Sequence, residues 1–204
     1  MWPDSSETQE LLSRAGAGDK AALDELLTRH RGPVQRMIGL RLDRAIAPRV
    51  DASDIVQEVL LEASERLAEY VREPAMPFHL WLRQIAKDHI IDAHRRHRKA
   101  QRRSVDRERP MRPAAPDRSS DQLAAELIDR ELTPATAALR QELAERFQEV
   151  IASLDDDDRE VILMRHFEQL SNQEVAAALG LSEPAAAMRH LRALRRLRAL
   201  IGAP

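Results

Sequence analysis

Two helix-start signals lie eleven residues apart, at Ser171 and Ser182, and that spacing leaves room for little except a helix-turn-helix. Ser171-Asn172-Gln173-Glu174 reads as a capping box, in which the serine hydroxyl and the glutamate carboxylate each satisfy a free backbone N–H. Val175, Ala176 and Leu179 supply the apolar side of a short helix, and Gly180 can close it in the left-handed conformation that glycine adopts cheaply. Ser182 then caps a second helix that tolerates Pro184 in its first turn. On that second helix, a period of 3.6 predicts Ala187, Leu191, Leu194, Leu197 and Ile201 on one side and Arg189, Arg192 and Arg196 on the other. Guanidinium forks suit phosphate oxygens and guanine edges, so the pattern points to DNA.

A run of charge on a helix is often only a solvated face. Here the distribution argues otherwise. From Ala185 to Pro204 there are five arginines, Arg189, Arg192, Arg195, Arg196 and Arg198, and no acid, so local acid partners are missing. From Thr136 to Pro184 four arginines face eleven acids. Charge segregated in this way orients docking on a polyanion, although the net charge of the whole chain is only −2.

Aromatic residues make up 3 % of the 204 residues and there are six glycines, while Ala, Leu, Arg and Glu dominate; this predicts an all-α protein. The absence of cysteine excludes disulfides, thiolate metal sites and cysteine nucleophiles. No apolar run approaches the ~20 residues that span a bilayer, and the start of the chain lacks a signal-like pattern, so a cytoplasmic protein is expected.

In the N-terminal half, Asp4-Ser5-Ser6-Glu7 opens a helix that should stop at Gly16-Ala17-Gly18. A second helix begins near Asp19, with a kink or restart expected at Gly32-Pro33. From Asp51 a third carries Ile55, Val56, Val59, Leu60, Ala63 and Leu67 on its apolar side and Asp51, Asp54, Gln57, Glu58 and Glu62 on its polar side. Pro74 and Pro77 enforce a loop, after which a long helix is predicted from Phe78 to Arg103, packing Leu82, Ile85, Ala86, His89 and Ala93. Arg83, Lys87, Arg95, Arg96, Arg98, Lys99, Arg102 and Arg103 make this helix basic, opposed only by Asp88 and Asp92. Phe78 and Trp81 at its beginning are candidates for stacking on unpaired bases, Trp81 more than Phe78, for which a place in the core is at least as good a reading.

The domain organisation read from these patterns is a helical domain over 1–103, a flexible linker over 104–133 rich in proline, arginine and serine, and a second helical domain over 134–204. Thr133-Pro134 restarts order, and Leu139, Leu143, Phe147, Val150, Ile151 and Leu154 form its first apolar stripe. The thirty linker residues reach ~100 Å extended but average ~30 Å as a coil, so they cannot set the separation of two DNA-reading units. Asp155 to Asp158 are expected to be the cap and first turn of a helix rather than a metal site, because adjacent carboxylates diverge and favour a helix start.

Three stretches together resemble the small bacterial RNA polymerase sigma factors of the extracytoplasmic-function group: Asp51 to Ala63, Phe78 to Asp92, and Asp158 to Arg165 with Leu170 to Ser182. The resemblance implies that Asp51, Asp54, Gln57, Glu58 and Glu62 dock on core RNA polymerase. It implies that the 73–77 loop with Phe78, Trp81 and Asp88 melts the minus-ten promoter element, and that Arg95, Arg96, Arg98, Lys99, Arg102 and Arg103 follow the duplex backbone. Asp88 stands where many members carry asparagine; a carboxylate accepts but does not donate, so the family's base preference does not carry over there. Arg189, Arg192, Arg195 and Arg196 would lie on the minus-thirty-five element. Ala185, Ala186 and Ala187 replace longer polar side chains, which implies few direct base contacts and reliance on phosphates and groove shape. Core polymerase would then supply the spacing that the linker cannot, and an anti-sigma factor is a possible further partner.

A stand-alone helix-turn-helix regulator is the competing reading, but no sustained heptad offers the dimer seam that two half-sites need. An enzyme is not expected. Ser53 near Asp54, or Asp155 to Asp158, form no catalytic or metal constellation, and His94 and His97 sit among arginines that repel a cation. No cofactor or metal is expected.

Overall fold

Helix caps and proline punctuation mark off four helices among the described residues of the N-terminal half of the chain. The computed structural model describes residues 2–3, 5–42, 50–104 and 149–201, with side chains described except at 98–104 and 201. Among these residues there is no strand. The chain forms two compact units, one carrying the helices up to Ser104 and one carrying those from 149 onward. The linker region, the Thr133-Pro134 restart and Leu139, Leu143 and Phe147 lie outside the described residues.

In the first unit α1 runs Ser5–Gly16, α2 Lys20–Arg41, α3 Ala52–Arg72 and α4 Phe78–Ser104. Asp19 caps α2 by accepting from the Ala22 N–H at 3.1 Å, and Asp51 caps α3 by accepting from Ser53 N–H at 2.8 Å. Those backbone donors hold both carboxyls below their usual range, because they favour the charged form. Helix α2 passes through Pro33 as one element instead of restarting there. Val34, Met37 and Ile38, all fully buried, anchor the turns beyond the proline and offset its missing N–H. Helix α1 packs on α2 and α3, α2 on α3 and α4, and α3 on α4. Gly16 lets α1 come close to α3, since a Cβ there would meet Val71 Cγ1 at 2.8 Å.

The core of this unit includes Leu26, Ile55, Val59, Leu82 and Ala86, and it also encloses His30, which is 1 % exposed. His30 Nδ1 donates to the Leu26 carbonyl at 2.8 Å, and its ring meets Phe78 edge-on at 4.9 Å. Burial lowers its pKa from the ordinary 6.5, because the charged ring cannot be solvated. The unfolded chain therefore takes up a proton near 6.5 that the folded unit refuses. His30 stability is complete above that pH and is lost as pH falls from about 6.5 toward the lower folded value. Both tryptophans lie in this unit, so tryptophan fluorescence isolates it. Its urea midpoint is expected to fall between pH 7 and pH 5.5, and His30→Gln, which keeps a donor, is expected to flatten that fall; an unchanged slope would refute the assignment.

In the second unit residues 149–153 are helical, α5 runs Asp156–Ile162, a π-helical turn covers Leu163–Phe167, α6 runs Asn172–Leu179 and α7 Glu183–Ile201. Asp155 caps α5 by accepting from Asp158 N–H at 2.9 Å, so the aspartates form a cap and first turn as expected. The π turn is not legible in the sequence. It lets Leu170 N–H reach the Met164 carbonyl at 2.9 Å and leads to Gln169 at φ 58, a left-handed residue that reverses the chain into α6. Both bonds of the Ser171–Glu174 capping box are present, and Gly180 takes φ 64 at the end of α6. Asn172 Nδ2 donates to the Glu183 carbonyl at 2.9 Å, tying the start of α6 to the start of α7.

One sequence expectation fails in α7. Its buried residues are Ala186 and Ala193, both fully enclosed, while Ala187 and Leu191 are exposed and Leu194 and Leu197 lie at the margin; the Ile201 side chain is outside the described set. Helix α7 packs on both α5 and α6, and close contact with two helices selects the small side chains for the interface. The amphipathic stripe is rotated accordingly, and this decides which arginines face solvent.

Candidate nucleic-acid interface

Rotation of α7 turns two of its arginines toward the acidic start of α5. Arg196 Nη1 donates to Asp158 at 2.7 Å and also pairs with Asp155, while Arg189 lies 3.2 Å from Asp157. Asp155 to Asp158 and Arg189, Arg192 and Arg196 line one open cleft of about 330 Å³. The acids missing from α7 are thus supplied across the fold. Arg189 and Arg196, expected on the arginine side of α7, pair with acids of α5; Arg192, Arg195 and Arg198 form no ion pair among the described residues and are exposed.

The acidic face of α3 is likewise divided by α4. His89 faces Glu58 through Nδ1 at 3.2 Å and Glu62 through Nε2 at 2.7 Å. Arg96 donates to Glu58 at 3.2 Å and Arg66 to Glu62 at 2.7 Å. Arg66, aided by His89, holds the Glu62 carboxyl below its usual value; at Glu58 burial pushes upward, but Arg96 and His89 outweigh it and the net direction is also down. Glu58 and Glu62 therefore join α3 to α4, and Asp54 and Gln57 remain on the outward side with Leu61, which is 62 % exposed. Leu61 was not singled out in the sequence, because an apolar residue on a mostly buried helix reads as core. Asp51 is exposed but occupied by its capping bond.

At the other end of α3 the aromatic residues assemble a platform. Phe78 is 3 % exposed and packs against His30, Tyr70 and Trp81, so of its two readings the structure places it in the core. Trp81 is partly exposed and lies over Tyr70 with centroids 4.7 Å apart. Tyr70 donates its hydroxyl to the Met76 carbonyl at 2.9 Å, which pins the proline loop beside the rings, and burial raises its pKa. Around them lies a hollow of about 530 Å³ lined by Arg66, Glu69, Tyr70, Arg72, Glu73, Ala75, Met76 and Trp81. Gln84, Asp88 and Arg95 continue outward from Trp81 along α4, all exposed, with Lys87 exposed beside them. Arg66, Tyr70, Arg72 and Gln84 were missed in the sequence; the three-residue step from Trp81 to Gln84 was the available signal. Arg83 of the basic cluster is 2 % exposed, and the side chains of Arg98, Lys99, Arg102 and Arg103 lie outside the described set.

Among the described residues no helix is long and apolar enough to cross a membrane, and no three His, Asp or Glu side chains are placed to hold a metal. Residues 26–100 match the family Sigma-70 region 2, and residues 144–197 match Sigma-70, region 4. The RNA polymerase sigma factor CnrH of Cupriavidus metallidurans is 30 % identical over 198 residues, covering 95 % of this chain and 93 % of that protein. The chain belongs to the RNA polymerase sigma factors of the extracytoplasmic-function group.

The ECF RNA polymerase sigma factor SigD of Mycobacterium tuberculosis is 30 % identical over 190 residues, covering 92 % of this chain and 81 % of SigD. The probable RNA polymerase sigma factor RfaY of Xanthomonas campestris is 34 % identical over 182 residues; the match covers 89 % of this chain and 41 % of RfaY. Among solved structures, CnrH in complex with the cytosolic domain of CnrY superposes with a TM-score of 0.59 at 25 % identity, covering 97 % of each chain. These likenesses make the sigma factor a promoter-directing transcription initiation factor and do not favour a stand-alone regulator.

Proposed function

We propose that this sigma factor docks on core RNA polymerase through the outward face of α3, opens the minus-ten element with the Trp81 platform, and engages the minus-thirty-five element with α7. One observation carries the reading: a half-exposed tryptophan backed by Tyr70 over a hollow with arginines on its wall. A flipped base gains stacking on such a surface while the arginines meet its phosphate. The docking contribution rests on Asp54, Gln57 and Leu61, an exposed leucine with polar neighbours in the manner of an interface anchor. The domain limits supporting this division are 1–103 and 134–204 around a linker. The protein acts without catalysis of its own, in the cytoplasm. CnrH is held by the cytosolic domain of CnrY in its structure, and a comparable protein partner is part of the proposal.

Transcription of a randomised promoter library by purified core polymerase with this chain tests the reading, and absence of any promoter-specific transcript would refute it. Asp54→Lys is expected to abolish co-purification with core enzyme while leaving the circular dichroism spectrum intact. Arg192→Ala, at an exposed and unpaired arginine, is expected to weaken promoter binding by roughly 1–3 kcal/mol.

A further inference from the structure

The outward ridge of α7 is unexpectedly apolar where a DNA-reading helix begins. Pro184, Met188, Leu191 and Arg195 follow one another at helical spacing on the side opposite Ala186 and Ala193. Met188 is 53 % exposed and Leu191 40 %, and Ala185 and Ala187 beside them are also exposed. Arg189 and Arg196, whose forks suit guanine edges, are drawn aside by Asp157 and by Asp155 with Asp158. Exposed arginines bound the apolar turns on their C-terminal side, at Arg192, Arg195 and Arg198, with no acid after Glu183. An apolar surface ending in such a cationic edge matches a groove of an anionic duplex better than it matches another apolar protein face.

In the major groove most base-edge atoms are donors or acceptors, and an apolar side chain pressed against them strands their hydrogen bonds. Thymine alone projects a methyl group there. The first turns of a recognition helix are the part that reaches base edges, and here those turns carry Met188 and Leu191, with alanines small enough to let the backbone come close. We propose that Met188 and Leu191 read thymine methyl groups, so that the upstream promoter element of this sigma factor carries thymines opposite the N-terminal half of α7. The inference rests on the assignment of α7 to that element and names the base chemistry it selects.

The test uses holoenzyme reconstituted from this chain and core polymerase on a promoter recovered from the randomised library. Deoxyuridine replaces thymine across the upstream element of one duplex and across the spacer of another, which removes methyl groups and leaves every hydrogen-bonding edge unchanged. Uracil in the upstream element is expected to weaken binding roughly fourfold for each contacted methyl, while uracil in the spacer leaves binding unchanged. Met188→Ala and Leu191→Ala, both at exposed sites, are expected to shrink the ratio of thymine to uracil affinity. Equal binding of the two upstream duplexes, a recovered element without thymine, or variants that lose affinity equally on both duplexes would overturn the proposal; the last outcome would place Met188 and Leu191 on a protein contact instead. Failure to recover any promoter would instead defeat the assignment of α7 itself, and the inference with it.

Discussion

Met164→Ala is expected to melt the second unit at temperatures where the first remains folded. Met164 is fully buried in the π turn, and its carbonyl receives the Leu170 N–H that brings the chain into the helix-turn-helix. Removing most of a buried methionine costs about 2–5 kcal/mol, through lost burial and the cavity left behind. A helical unit of this size commands only several kcal/mol in total, of order 0.05–0.15 kcal/mol per residue. Far-ultraviolet circular dichroism should lose the second unit's helical signal on mild warming, while tryptophan fluorescence, confined to the first unit, keeps its transition. A single transition at the original temperature would show that the π turn does not bear on this unit's stability. Promoter use should fail together with the lost helices, since α7 packs on α5 and α6.

Trp81→Ala is expected to leave the first unit folded and to impair promoter opening. Stacking on an aromatic side chain contributes about 1–3 kcal/mol per base, so open complexes should form roughly 5- to 150-fold less readily. The same protein should still bind core polymerase, because Asp54, Gln57 and Leu61 lie on another face of α3. Opening on a template already mismatched over the minus-ten region should recover part of the loss, since unpairing has been supplied in advance. Phe78→Ala provides the contrast. At 3 % exposure Phe78 is a core residue, and its loss should cost about 3–5 kcal/mol of stability, lowering every activity together. If Trp81→Ala opened duplex promoters at the normal rate, the platform would have no part in melting.

Local chemistry explains what could be read in advance. The capping box at Ser171 and Glu174, the left-handed Gly180 and the cap and first turn at Asp155 to Asp158 involve partners within four residues, so spacing alone identified them. The apolar face of α3 followed from its period, and Ile55, Val56, Val59, Ala63 and Leu67 are all buried. The continuity of α2 through Pro33 was not legible, because the packing of Val34, Met37 and Ile38 outweighs one missing hydrogen bond. Neither was the π turn, whose register depends on Leu170 and Gln169 downstream. The candidate site divided in the same manner. Trp81 was recognisable from its position after a proline loop, but Tyr70 beneath it and Arg66 and Arg72 around it belong to a different helix.

By itself the chain's order of residues determined helices, caps, turn and the concentration of arginine at one end, because each is set by contacts reaching no further than a helical turn. Only the tertiary structure decided which charges are free to meet a partner. Arg196 finds Asp155 and Asp158 about forty positions away, and Glu58 finds Arg96 at a similar remove. Such pairs depend on how far each helix is rotated against its neighbour, and for α7 that rotation is chosen by the shapes of Ala186 and Ala193 in the packed interface, not by the charges themselves.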